Sequence, residues 1–206
     1  MKNLITMFLL LLIGYGPADS AGGSEKKSAV PDRLAEADRL YNIGLKHRDK
    51  AWAYEEQAAG ATEKDQGVYL KSADREFERA IEAFKGATIQ NSRHFEAFGS
   101  LGYALRKTGQ FEDALKSYDR ALKMSPDYPE ALEYRAEAYL GLGRIEDAKT
   151  DYERLVKLDE TLARTFLEAA TYWIETADAT GAAGVGFAEW VEGEKARLGP
   201  GVGKGW

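Results

Sequence analysis

Apolar side chains recur every three or four residues through most of the chain, which is the period of an amphipathic helix. From Phe95 onward the pattern itself repeats, because residues 95–128 and 129–162 have the same order of apolar, small and polar positions at a spacing of 34. The first copy contains Phe98, Leu101, Gly102, Leu105, Gly109, Phe111, Ala114, Tyr118, Ala121 and Pro126. The second copy has Leu132, Arg135, Ala136, Tyr139, Gly143, Ile145, Ala148, Tyr152, Leu155 and Glu160 in the same places. Two successive copies predict a stack of helical pairs.

This pattern resembles the tetratricopeptide repeat, a helix-turn-helix unit of about 34 residues with the signature W-x2-L-G-x2-Y, then A-x3-F, then P. The stretch from about Leu34 to Trp190 is also similar to small exported bacterial proteins of this family. The resemblance implies an all-α fold, a right-handed solenoid of helix-turn-helix units whose first helices line a concave groove. It also implies a non-enzymatic module, a scaffold or adaptor, that binds other proteins.

Three positions inside the repeats carry specific expectations. Gly109 and Gly143 lie where the first helix of each copy should end, and glycine can adopt the left-handed conformation that such an end needs. Arg135 departs from the pattern, because Leu101 holds this place one repeat earlier. A buried arginine would need a carboxylate partner. We expect the alternative, in which the stem runs along the surface and the guanidinium stays in water.

The region before the two copies is predicted to be an enlarged first unit, residues 32–94, whose first helix Asp32 can cap. Matching Gly44 to Gly102 leaves 58 residues between equivalent positions instead of 34, so 24 residues have been added. This added sequence is rich in alanine and charge and has no proline, which favours two lengthened helices. We expect an elongated hairpin that turns near residues 60–63; the alternative is a mobile insertion without a role. The seam is predicted to contain Ala51, Trp52, Ala58, Val68, Tyr69 and Ala73.

The end of the chain is predicted to close the stack. Residues 163–176 should form a capping helix, since a repeat stack needs one to cover its last apolar face. Residues 177–186, rich in glycine and alanine, are predicted to be a linker. Residues 187–198 should form a short helix that packs back through Phe187, Trp190 and Val191. Residues 199–206 are predicted to be a disordered tail.

The first 20 residues resemble a secretory signal peptide, with Lys2, an apolar run from Leu4 to Ile13, and small residues before a cleavage site at Ser20-Ala21. The apolar run is about ten residues, whereas a membrane span needs roughly 20. Cleavage would leave a flexible leader, residues 21–31, and an exported protein that is periplasmic or secreted. An uncleaved anchor is the alternative.

The composition of the chain argues against several kinds of binding and catalysis. The chain has 206 residues, a net charge of −6 and no cysteine. The acidic balance argues against a protein that coats nucleic acid, and the lack of cysteine excludes disulfides and thiolate chemistry. Glu133 and Glu137 lie one helical turn apart, but without a motif around them a solvated acidic face is expected rather than acid–base work. No phosphate loop or hydrolase motif is present, so we expect no enzyme, no cofactor and no metal.

The resemblance places a partner-binding groove on the first helices. Its predicted residues are Glu96, Tyr103, Arg106, Lys107, Glu130, Glu133, Glu137, Leu140, Arg164 and Leu167. One wall is basic and one acidic, so the partner is expected to be a protein or peptide with both charges, anchored on Tyr103. Tyr103→Ala and Glu137→Lys should then weaken binding without unfolding the chain.

The sequence also bears on one specific ligand and on one alternative function. Family members that hold the acidic tails of chaperones need a lysine and an asparagine where Gly99 and Tyr103 stand, which disfavours that ligand here. The second function that the sequence allows is a structural subunit of a cell-envelope complex that assembles with itself.

Overall fold

The computed structural model describes residues 32–176 and 182–199, and all regular structure within them is α-helical. The helices are α1 (Arg33–Ala59), α2 (Glu63–Gln90), α3 (Phe95–Lys107), α4 (Phe111–Met124), α5 (Pro129–Gly141), α6 (Ile145–Leu158), α7 (Glu160–Thr176) and α8 (Ala182–Leu198). The predicted signal peptide and leader lie outside the described residues, as do positions 177–181 of the predicted linker and most of the predicted tail.

The helix ends follow local sequence signals. The Asp32 carboxylate accepts a hydrogen bond of 3.0 Å from the backbone N–H of Leu34 and so caps α1. Gly109 and Gly143 have φ values of 75° and 69°, which confirms that glycine ends α3 and α5 in the left-handed conformation. The N–H of Gln110 reaches back to the carbonyl of Leu105 at 2.9 Å, as the glycine-terminated helix motif requires.

The first unit is a long hairpin. Helices α1 and α2 have 27 and 28 residues and pack along each other, whereas α3 and α4 have 13 and 14. Ala51, Ala58 and Ala73 are buried in the seam. The prediction for Val68 is wrong, because this side chain is 61% exposed. Five residues separate it from Ala73, which turns it about 140° away from the buried face of α2.

The stack is built in two layers. The first helices of successive units, α1, α3, α5 and α7, pack against one another, and each also packs on its own second helix. Close approach within a unit relies on small residues. A Cβ atom added to Gly102 would lie 2.6 Å from the ring of Tyr118, and Gly44 lies in the same way beneath Phe84. The long hairpin is therefore built on the same packing as the regular repeat.

The C-terminal helix closes the stack. Phe187 and Val191 of α8 are almost fully buried, and the ring of Trp190 lies 5.0 Å from that of Tyr152 in α6. The predicted linker is too long, because α8 begins at Ala182 and not at Phe187. Alanine is the best helix former, so the helix can begin within this small-residue segment, where Gly184 is buried.

Arg135 corrects a second expectation. Its guanidinium donates to both oxygens of Asp151, at 2.7 and 2.6 Å, and to Asp119 at 2.6 Å. The Asp151 side chain is only 3% exposed. The expected placement of the guanidinium in water is therefore wrong, and the arginine belongs to a buried ion pair between α5 and α6.

Candidate functional site

An aromatic cluster joins three of the first helices. Tyr103 of α3 lies at its centre, with the rings of Tyr134 of α5 at 4.9 Å and Trp52 of α1 at 5.8 Å. The indole Nε1 of Trp52 donates a hydrogen bond of 2.6 Å to the Tyr103 hydroxyl. The hairpin is thus connected to the regular repeats through the predicted groove residue Tyr103.

The cluster borders a pocket of about 190 Å³, called the aromatic pocket below. Its lining comprises Tyr41, Arg48, Trp52, Gly99, Ser100, Tyr103, Tyr128, Glu130, Ala131 and Tyr134. Gly99 makes room for the Tyr128 ring, because a Cβ atom there would lie 2.8 Å from that ring. Five aromatic side chains from α1, α3, α5 and the turn before α5 therefore converge on one partly open site.

Three tyrosines of this pocket, Tyr103, Tyr128 and Tyr134, keep their protons at neutral pH, because burial raises the pKa of each hydroxyl group. Burial, reinforced by the nearby Glu133 carboxylate, raises the pKa of Tyr134 to about 12. Burial also raises the pKa of Tyr128, and the charges of Glu130 and Glu96 act in the same direction. At these three positions the pocket therefore presents neutral hydroxyl groups rather than phenolates.

The predicted basic wall is occupied by internal contacts. Arg106 forms an ion pair of 2.6 Å with Glu137, and Lys107 forms one of 2.7 Å with Glu55 of the hairpin. Arg164 donates to the carbonyls of Leu198 and Gly199, each at 2.6 Å, and pairs with Glu160. The expectation of a basic wall open to a ligand is therefore wrong, because folding has already provided these cations with partners.

The predicted acidic residues differ in their surroundings. Glu96 contacts the His94 ring at 3.1 Å. Glu130 is exposed at the edge of the aromatic pocket and has no ion-pair partner among the described residues. Glu133 is 2% exposed, and its Oε2 has no hydrogen-bond partner in the part of the chain that the structure describes. Burial and the neighbouring Glu137 raise the pKa of Glu133 to about 8.

Two predicted groove residues present almost no surface. Leu140 and Leu167 are each 2% exposed and belong to the hydrophobic core. Both lie on first helices as predicted, but neighbouring helices cover them. They are therefore left out of the candidate site, together with the buried Glu133.

Several pocket residues escaped the sequence analysis. Tyr41, Trp52 and Arg48 come from the enlarged hairpin, where the repeat pattern gives no groove positions. Tyr128 lies in the turn before α5, outside the helices that the family pattern assigns to the groove. The one available signal was Gly99, since a missing side chain at a groove position leaves space that a neighbouring ring can fill.

Within residues 32–176 and 182–199, no three histidine or acidic side chains are grouped so that they could hold a metal ion. None of the helices described is long and apolar enough to cross a membrane.

The described helices define a helical-repeat protein. Models of the tetratricopeptide repeat match residues 68–129, 100–161 and 134–180, which together span more than half of the chain. The chain therefore belongs to the tetratricopeptide repeat family, and this membership supports a protein-interaction module. No curated protein sequence matches the chain at a significant level.

Several solved structures are similar to the chain at low identity and with TM-scores below 0.5. The first tetratricopeptide domain of Spaghetti (RPAP3), bound to the HSP90 peptide SRMEEVD, is 17% identical; the match covers 72% of this chain and 95% of that domain, with a TM-score of 0.43. The Yersinia enterocolitica type III secretion translocator chaperone SycD is 16% identical, with 79% and 94% covered and a TM-score of 0.44. MamA is 20% identical, with 75% and 97% covered and a TM-score of 0.43. At these identities the likeness concerns the fold alone.

Proposed function

We propose that this chain is a non-enzymatic scaffold that binds a segment of another protein across the aromatic pocket. One observation carries the proposal: five aromatic side chains from separate parts of the chain border an open site, and four of them are only partly buried where they pack against the core. Tyrosine and tryptophan are enriched among the residues that dominate binding energy at protein interfaces. Tyr103 lies at the centre of the aromatic cluster, and the rest of the pocket lining comes from the hairpin, from α3, from Tyr128 and from α5.

The structure changes which variants can test this function. Tyr103→Ala would remove the ring that joins Trp52 to Tyr134, and Glu137→Lys would place a cation against Arg106. Both changes damage the fold, so loss of binding in these variants would be ambiguous.

Ser100 offers a cleaner test, because it lies in the pocket lining and makes no side-chain hydrogen bond within the described residues. Ser100→Gln should fill the pocket with a neutral side chain, while Ser100→Ala leaves it open. We expect affinity capture from an envelope extract to retain a specific partner on the native chain and on Ser100→Ala, and to lose it on Ser100→Gln. Circular dichroism and thermal unfolding check that all three proteins are folded. Equal capture by all three would contradict binding at this site.

We also propose that the scaffold acts after export, in the periplasm or outside the cell. The support is Lys2, the short apolar run and the small residues before Ala21. Expression in a bacterial host followed by fractionation and intact-mass measurement is the test. A mass that begins at Ala21 in the exported fraction supports the proposal, whereas a cell-associated chain that retains residues 1–20 contradicts it.

Self-assembly into an envelope complex is the second candidate, and one observation favours it. Val68 and Leu70 are 61% and 45% exposed on α2 near the end of the hairpin, and exposed apolar groups can mark an interface. This function predicts that the mass of the pure chain rises with concentration and that Val68→Ser/Leu70→Ser abolishes the rise. A constant monomer mass would contradict it.

A further inference from the structure

The aromatic pocket contains two charged side chains, and only one of them is paired. The Arg48 guanidinium bonds to Asp49 at 3.0 and 2.8 Å and lies 4.2 Å from the centre of the Trp52 ring. Glu130 has no hydrogen-bond or ion-pair partner among the described residues and is exposed to solvent. The charge that the pocket leaves unbalanced is therefore negative.

The charged residues of α3 that lie near the pocket are also paired or acidic. The cations Arg106 and Lys107 of this helix are each bound to a glutamate of the chain itself. Glu96 lies close enough to Tyr128 for both it and Glu130 to raise the pKa of the Tyr128 hydroxyl. A ligand with negative charge would meet the Glu130 carboxylate in the pocket, where the lining cation Arg48 is already paired with Asp49.

The ring faces in the pocket already attract cations from the chain. Arg48 lies over Trp52, and Arg106 lies 5.3 Å from the centres of both Tyr103 and Tyr134. Such contacts arise because the negative face of an aromatic ring attracts a positive charge. Tyr41 and Tyr128 have no arginine or lysine over their rings within the described residues, and Glu130 shares their pocket.

We propose that the aromatic pocket binds a lysine or arginine side chain of the partner, with its charged group beside the rings of Tyr41 and Tyr128 and close to the carboxylate of Glu130, which all line this pocket. This inference rests on the proposed function, since it names the chemistry of the segment that binds. The volume of about 190 Å³ is below the roughly 300–1,000 Å³ of sites for whole small molecules. A single long side chain suits this volume.

The inference predicts the composition of selected peptides. A displayed library of random 12-residue peptides, selected on the purified full-length chain, should become enriched in lysine or arginine at one position. Replacing that residue by methionine in a synthetic copy of the best peptide keeps the length but removes the charge. We expect its affinity, measured by isothermal titration, to fall roughly threefold to tenfold.

A matched pair of variants locates the contact. Glu130→Gln removes the pocket carboxylate, whereas Glu153→Gln makes the same change of net charge at an exposed position of α6. The native peptide should bind Glu130→Gln more weakly and Glu153→Gln as it binds the native chain. The methionine peptide should bind all three proteins equally, because a double-mutant cycle isolates the energy that two groups share.

The outcomes separate this inference from the function on which it rests. If no peptide is enriched, both are overturned. If the selected peptides are bound at the pocket, as shown by loss of binding in Ser100→Gln, but carry no basic preference or an acidic one, the scaffold function stands and the cation site is overturned. Equal loss of affinity in Glu130→Gln and Glu153→Gln would also overturn the cation site, because a general charge effect would then explain it.

Discussion

At the scale of single residues, the second repeat contains an ion pair where the first has none. Arg135 and Asp151 hold the places of Leu101 and Ser117, which lie 34 residues earlier in each case. The chain therefore contains an uncharged solution to the same packing problem. The contribution of the ion pair to stability can therefore be tested by replacing Arg135 and Asp151 with the residues found in the first repeat.

We predict that Arg135→Leu lowers the free energy of unfolding by about 3–5 kcal/mol, because it leaves the buried Asp151 charge without its partner. Asp151→Ser should cost less, since Arg135 keeps its ion pair with Asp119. The double variant Arg135→Leu/Asp151→Ser should recover most of the loss caused by Arg135→Leu, since it removes both charges. Urea unfolding followed by circular dichroism measures all three. Asp119→Asn is the control: Asp119 is the exposed member of the network, and its loss should cost less than about 1 kcal/mol. Strictly additive losses in the double variant would show that the two side chains are not coupled.

The buried carboxyl group of Glu133 should make the free energy of unfolding depend on pH. Its pKa is about 8 in the folded chain, against about 4.3 for an unfolded glutamate. Between these values the folded state binds more protons than the unfolded state, so the free energy of unfolding falls as the pH rises. Glu133→Gln should therefore stabilise the chain at pH 8 by about 1–3 kcal/mol and have little effect near pH 4.5.

Chemical unfolding of the native chain and of Glu133→Gln across this pH range tests the prediction. Glu153→Gln, an exposed residue on α6, controls for the change in net charge. A stabilisation by Glu133→Gln that did not vary with pH would mean that the Glu133 carboxyl group titrates normally.

At the scale of elements, Trp52 makes a contact that joins the first helix of the hairpin to α3, beside the broader packing of α2 on α3. Its hydrogen bond and edge contact to Tyr103 connect α1 to α3. We predict that Trp52→Phe costs about 1 kcal/mol, the usual net value of one hydrogen bond. Trp52→Ala should cost roughly 2–3 kcal/mol, which is less than a fully buried tryptophan because this side chain is 39% exposed. Thermal unfolding compares both with Val68→Ala, an exposed position where almost no change is expected. Equal effects at Trp52 and Val68 would contradict the role of Trp52 in joining these helices.

Helix pairs and their ends could be predicted from the sequence, whereas contacts between helices could not. The period of 34 and the glycines Gly109 and Gly143 give the helix pairs and where they end, because these signals are local. The start of α8 at Ala182 was missed, since a segment of alanine and glycine is ambiguous until a neighbour covers it. The ion pair of Arg135 was not predicted for a related reason. Whether a carboxylate of another helix can reach an arginine depends on helix packing, which no single segment reveals.

The candidate site was predictable only in part. Tyr103 was found because the repeat register places it on a groove helix. Arg106 and Lys107 were expected to be available to a ligand. The repeat register predicts which helix face a residue occupies, but it does not predict whether a partner such as Glu55 lies within reach. The hairpin residues of the pocket, Tyr41, Arg48 and Trp52, were not predicted because the repeat pattern assigns no groove positions within an insertion.

At the scale of the whole molecule, the stack should lose stability mainly near the site of damage. Phe187 is 1% exposed, stacks on Trp190 and meets Trp173 edge-on. We predict that Phe187→Ala lowers the stability of the α7–α8 end by about 3–4 kcal/mol. Repeats interact chiefly with their neighbours, so hydrogen exchange should accelerate most in α7 and α8 and least in α1 and α2. Uniform acceleration along the chain would show that the stack unfolds as one unit.

The bonds from Arg164 to the carbonyls of Leu198 and Gly199 have a consequence for how such a chain can lengthen. A unit appended after α7 would have to displace α8 and break these bonds, whereas the boundary between residues 128 and 129 is an ordinary joint between similar units. Duplication of residues 95–128 would insert there a copy that fits both neighbours. Growth of this protein, in evolution or by engineering, should therefore proceed from the interior, with the terminal helix carried along unchanged.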